Sequence, residues 1–130
     1  MTIEERNYLE QWLEKAEHDL LAAQLIIEQQ PLILDISCFH CQQAVEKYLK
    51  IFLIYHKKDF PKTHNLDLLL KNCLDISDHF KTVDVKNLED FAIRGSYPHD
   101  FLLPTQEEAE EFYQIAVQTK ALVLKAIRIN

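Results

Sequence analysis

Punctuation is nearly missing from this chain. One glycine, Gly95, and four prolines in 130 residues are too few for a sheet of many short strands and suit long helices. No apolar run approaches the ~18 residues of a membrane-spanning helix. The start, MTIEERNYLE, is acidic and leads into no apolar segment, so no signal peptide is expected and the chain reads as soluble and cytoplasmic. Three cysteines, an odd number, fit a reducing compartment better than a disulfide framework. A phosphate-cradling glycine loop, an HExxH and a GxSxG are all absent.

What the chain does have is helical period. With 48% hydrophobic residues and no long polar tract, one domain spanning residues 1–130 has enough apolar material for a core. Helix 1 should start at a Thr2/Glu5 capping box. Leu9, Trp12, Leu13, Ala16, Leu20, Ala23 and Ile27 then form its apolar stripe, and Gln29-Gln30-Pro31 ends it. Helix 2, beginning near Asp35 as its cap, carries the strongest core signal: Cys38, Cys41, Val45, Tyr48, Leu49, Phe52, Leu53 and Tyr55 share one broad face. Gln43, Glu46, Lys47 and Lys50 are expected on its outer side, with Glu46 and Lys50 as an i,i+4 pair. Phe39, Ile51 and Ile54 fall outside the apolar arc, which predicts a second neighbour for this helix and a homodimer.

A basic linker with Pro61 follows, and Thr63 or Asn65 should cap a short helix 3 built on Leu66, Leu69, Leu70, Cys73 and Leu74. A weaker helical element is expected over 84–93, with Val85, Leu88, Phe91 and Ala92 inward. Gly95 and Pro98 make the next stretch irregular. A second capping box, Thr105/Glu108, opens the last helix, with Ala109, Phe112, Ala116, Thr119, Val123 and Ile127 facing in. The sum is an all-α fold, an antiparallel up-and-down helical bundle of four to five helices.

The net charge of −7 opposes indiscriminate binding of polyanions, but it is unevenly spread. Residues 1–30 hold seven acids against Arg6 and Lys15, whereas 47–64 hold Lys47, Lys50, Lys57, Lys58 and Lys62 against Asp59 alone, with His64 at the end. Phosphate contacts are to be sought there, on Lys47, Lys50, Lys57, Lys58 and His64, the alternative being a solvated helix end. Cys38 and Cys41 form a CxxC, yet zinc needs four ligands and both fall on the core face of helix 2, so they read as small hydrophobes. No metal and no cofactor is expected. Arg94, five residues before His99 beside the glycine, pairs a phosphate-binding guanidinium with a proton-transfer group. Together they could cleave RNA through its own 2′-hydroxyl without a metal, His99 moving the proton and Arg94 stabilising the phosphorane. The alternative is that Arg94 holds a helix end.

Trp12, Ala16 and Asp19-Leu20, the block Gln43-Ala44-Val45-Glu46-Lys47-Tyr48-Leu49-Lys50, the Thr63-His64-Asn65-Leu66 motif, Tyr97-Pro98 and Glu108-Ala109 are spaced as in the HEPN family, the "higher eukaryotes and prokaryotes nucleotide-binding" domains. The chain resembles that family over nearly its whole length. The resemblance implies a five-helix bundle paired as a homodimer, a nucleotide- or RNA-binding role to which Arg94 and Tyr97 contribute, and a minimal nucleotidyltransferase as partner, as in toxin–antitoxin-type pairs. Some relatives are endoribonuclease toxins with an Arg-x4-6-His motif, whose spacing Arg94 and His99 match. Gly95 stands where that motif tends to have a polar residue, and Phe101 where it tends to have tyrosine. Three readings follow: a nucleotide- or RNA-binding module, an active metal-independent ribonuclease, and a helical interaction subunit without a ligand.

Overall fold

The computed structural model describes residues 1–92 and 103–128. They form four α-helices: α1 (Ile3–Gln29), α2 (Leu34–Tyr55), α3 (Leu66–Leu74) and α4 (Gln106–Ala126). The fold is all-α, a helical bundle in which α1, α2 and α4 are long and α3 is short. Both predicted capping boxes are present: Thr2 Oγ1 accepts from the Glu5 N–H at 3.0 Å, and Thr105 Oγ1 from the Glu108 N–H at 3.1 Å. Each satisfies amides that a helix start leaves unpaired. Asn65 caps α3 by accepting from the Leu68 N–H at 3.0 Å.

α2 is the axis of the bundle. α1 and α4 both pack along it, and α3 and the turn at Leu88–Phe91 close a further side. Cys38, Cys41, Ala44, Val45, Tyr48, Leu49, Ile51, Phe52 and Leu53 are all buried. A helix surrounded on so many sides needs more than one apolar stripe, and this corrects the expectation for Ile51: it is fully buried within its own chain. Phe39 and Ile54 are half-buried. The cap of α2 also differs. The start is fed by a 3-10 turn at Pro31–Ile33, Ile33 stands at the cap position, and Asp35 sits buried in the first turn.

The element expected over 84–93 is not an α-helix in its described part. Val85, Leu88, Phe91 and Ala92 are buried as the pattern implied. Lys86, however, has φ 49°, a left-handed conformation that breaks a helical run, so the segment reaches the core through a 3-10 turn at Leu88–Phe91.

Candidate functional site

The polar residues of α2 form a buried seam. Gln42, Glu46 and Lys50 recur at four-residue steps and all three are buried, which corrects the outward placement expected of Glu46 and Lys50. Glu46 Oε1 accepts from Gln42 Nε2 at 3.1 Å and lies 2.7 Å from His64 Nδ1; Glu46 Oε2 accepts from Lys50 Nζ at 3.2 Å. Both oxygens of the buried carboxylate are therefore paired, Oε1 twice and Oε2 once. Lys50 Nζ also stands 5.9 Å from the Trp12 ring centre and 5.4 Å from that of Phe60, positions that let both π faces share its charge. The helix 2 block and the Thr-His-x-Leu motif thus meet through Glu46 and His64.

A second seam joins α1 to α2. Asp19 Oδ2 accepts from Lys47 Nζ at 2.7 Å, and Asp19 Oδ1 lies 2.9 Å from His40 Nδ1. Burial alone would raise the Asp19 carboxyl, but the hydrogen bonds from His40 and Lys47, with the lysine charge, hold it below the ordinary aspartate value. A depressed carboxyl stabilises the fold above the unfolded-state value and loses that contribution as pH falls through the folded-state value. Asp19→Asn should accordingly flatten the dependence of stability on pH below about pH 4. Urea melts at a series of acidic pH values test this, and an unchanged profile would contradict it.

Beside the seams, three neighbouring clefts share lining residues. The first, 240 Å³, lies between α1 and α2 and is lined by Tyr8, Gln11, Trp12, Lys15 and Lys47. Tyr8 also lines the second, 450 Å³, together with Tyr55, Phe60, Lys57 and Lys58. Tyr55 and Lys57 continue into the third, 510 Å³, where Arg6 and Arg128 join them. The result is a track lined by aromatic rings and cations, with two carboxylates, Glu5 and Asp59, in its middle cleft. Tyr8 and Trp12 meet edge to face with ring centres 6.3 Å apart, as do Trp12 and Phe60 at 6.3 Å.

The centre of the track is pinned by the end of α2. The Lys58 N–H donates to the Leu53 carbonyl and the Lys57 N–H to the Ile54 carbonyl, each at 2.9 Å, the pattern of a Schellman motif. Its left-handed residue is Lys57, with φ 57°. Glycine is the residue that adopts this conformation without strain, and a lysine there costs about 1 kcal/mol. Lys57 Nζ faces Glu5 Oε2 at 3.6 Å, but both side chains are well exposed and such pairs exchange readily for another anion.

Of the residues predicted to bind phosphate, Lys47, Lys57 and Lys58 therefore line one track. Lys50 lies beneath it, among Glu46, Trp12 and Phe60, and His64 is held by Glu46. The expected basic patch is smaller than its lysine count, because Asp19 and Glu46 neutralise part of it from within. Arg94, Tyr97 and His99 lie outside the described residues. Sequence reasoning missed Tyr8, Lys15, Phe60, Arg6 and Arg128; Tyr8, Trp12 and Lys15 carried a signal, since steps of four and three place them on one helix face. A further cleft of 570 Å³ between α1 and α4 is lined by Glu28, Glu107, Glu110 and Glu111, carboxylates that repel phosphate. Cys38, Cys41 and Cys73 are buried, and burial pushes the thiols of Cys38 and Cys73 up to about 12 and that of Cys41 higher still, which keeps them protonated and inert. Among the described residues no helix is long and apolar enough to cross a membrane.

Compared with known families, residues 9–126 match the HEPN domain. The chain belongs to the HEPN family. That match covers α1 from Leu9, where the track's Trp12 and the seam's Asp19 stand, through the whole of α4. No curated protein and no solved structure matches this HEPN chain. The family supports a nucleotide- or RNA-related module.

Proposed function

We propose that this HEPN domain binds a short single-stranded stretch of RNA along the track, bases against Tyr8, Trp12, Tyr55 and Phe60 and phosphates on Lys15, Lys57, Lys58, Arg6 and Arg128. A free nucleotide would occupy one segment of the same surface. The observation that carries this reading is the set of neighbouring clefts in which exposed Tyr8 and half-buried Trp12, Tyr55 and Phe60 stand among cations. Stacking accepts any base, and lysines follow the backbone, the combination used by single-strand binders. Duplex RNA hides its base faces and offers the rings nothing. An anisotropy titration of a short single-stranded RNA against its own duplex tests the proposal. Tighter binding of the single strand, weakening with salt at about −0.7 in log–log slope per neutralised phosphate, is expected; equal or tighter binding of the duplex would refute it.

The domain works, in this reading, as a homodimer beside a minimal nucleotidyltransferase, in a toxin–antitoxin-type pair. Exposed Leu32, Ile33 and Ile36 with half-buried Phe39 leave an apolar strip at the start of α2, as a subunit contact requires. Sedimentation as a monomer at micromolar concentration, or failure to co-purify with a co-expressed nucleotidyltransferase, would remove those parts. The spacing of Arg94 and His99 favours a second reading in which bound RNA is also cut. Cleavage in chelator, abolished by Arg94→Ala and by His99→Ala with the fold intact, is then expected. A wild-type protein that binds RNA and leaves it whole would restrict the chain to binding.

A further inference from the structure

A cleft of 580 Å³ opens between the last turn of α2, the 3-10 turn at Asp78–Thr82 and the last turn of α4. It shares no lining residue with the track. Phe52, Ile76, Leu122 and Ala126 make apolar walls, and its ionisable side chains are His56, His79 and Lys125. No carboxylate lines it, in a chain of net charge −7. Among the described residues none of these three basic groups forms an ion pair, whereas Lys47 and Lys57 of the track face Asp19 and Glu5.

The cleft is also held in shape. The His56 ring rests on Phe52 with ring centres 4.5 Å apart. The Ser77 hydroxyl accepts from the His79 N–H at 3.3 Å and the Thr82 hydroxyl donates to the His79 carbonyl at 3.1 Å, fixing the backbone of His79 from both sides. Two helix C-termini point this way, and their carbonyls would repel an anion. The Leu53 and Ile54 carbonyls of α2 are taken up by the Schellman hydrogen bonds, and Lys125 stands in the last turn of α4.

We infer that this cleft is a separate site for a small anion carried on a planar ring, the ring against Ile76 and Leu122 and the anionic group among His56, His79 and Lys125. Its volume is that of a pocket for a ligand of this size. The inference does not depend on RNA binding along the track. The test is an NMR titration of the full chain with adenosine 5′-monophosphate, benzoate and inorganic phosphate, each alone, read at the His79 and Lys125 side-chain signals. Saturable shifts with one or both ring-bearing anions, weakened by at least about tenfold in Lys125→Glu or His79→Gln, are expected. Stronger binding of the monophosphate assigns a phosphate ligand and stronger binding of benzoate a carboxylate. Inorganic phosphate binding as tightly as either ring compound would overturn the inference. So would the absence of saturable shifts, or shifts indifferent to both cleft variants.

Discussion

Glu46→Ala is expected to destabilise the fold by about 3–5 kcal/mol, the range for removing one partner of a buried ion pair. The carboxylate is buried and receives Gln42, Lys50 and His64 at once. Without it the Lys50 ammonium keeps the faces of Trp12 and Phe60 but no counter-charge. The double change Glu46→Leu/Lys50→Met removes both charges and should recover much of the loss, because a buried pair replaced by apolar groups of similar size is often neutral. Chemical denaturation measures both. A loss under about 1 kcal/mol in Glu46→Ala would mean that water reaches the seam and that the pair behaves as a surface pair. Since the same seam props Trp12 and Phe60 from below, the destabilised variant should also bind RNA less well.

At the centre of the track the expected effects divide between stability and binding. The reversal Lys57→Glu/Lys58→Glu should lower affinity for single-stranded RNA by more than about tenfold at low salt and remove about 1.4 from the salt slope, two phosphates' worth. Lys57→Gly separates the two roles. Relief of the left-handed strain should stabilise the protein by about 1 kcal/mol, while loss of the cation takes about 0.7 from the salt slope. A variant that is more stable and binds worse would show that the strained lysine is kept for its charge. If Lys57→Gly binds as wild type does, the turn is structural and the track loses its central contact.

The helices were legible because their signals are local. Both capping boxes, the proline after α1 and the stripes of α1 and α4 depend on residues a few positions apart, and the structure has them where the spacing puts them. The errors arose where a residue's surroundings come from distant segments. Glu46 and Lys50 look like a solvated pair on a helix considered alone, yet His64 and Phe60 from the following loop cover them. Ile51 lies outside a single apolar arc, but α2 has neighbours on several sides. Over 84–92 burial followed the pattern while helicity did not, since one left-handed residue, Lys86, interrupts the run. The lysines of the site were legible as a cluster along the chain. Their sorting into neutralised and available charges was not, because Asp19 and Glu5 approach them from α1, far away in sequence.

Trp12, the single tryptophan of the chain, sits inside the track between Tyr8 and Phe60. Its fluorescence therefore reports directly on whether bases reach the rings. Titration with a short single-stranded RNA is predicted to quench Trp12 saturably, at concentrations that match the anisotropy titration, with the quenching curve displaced to higher concentration in Tyr8→Ala by the equivalent of about 1–3 kcal/mol for a lost stacked base. RNA that binds by anisotropy while Trp12 fluorescence stays unchanged would place the ligand elsewhere on the molecule and contradict the account.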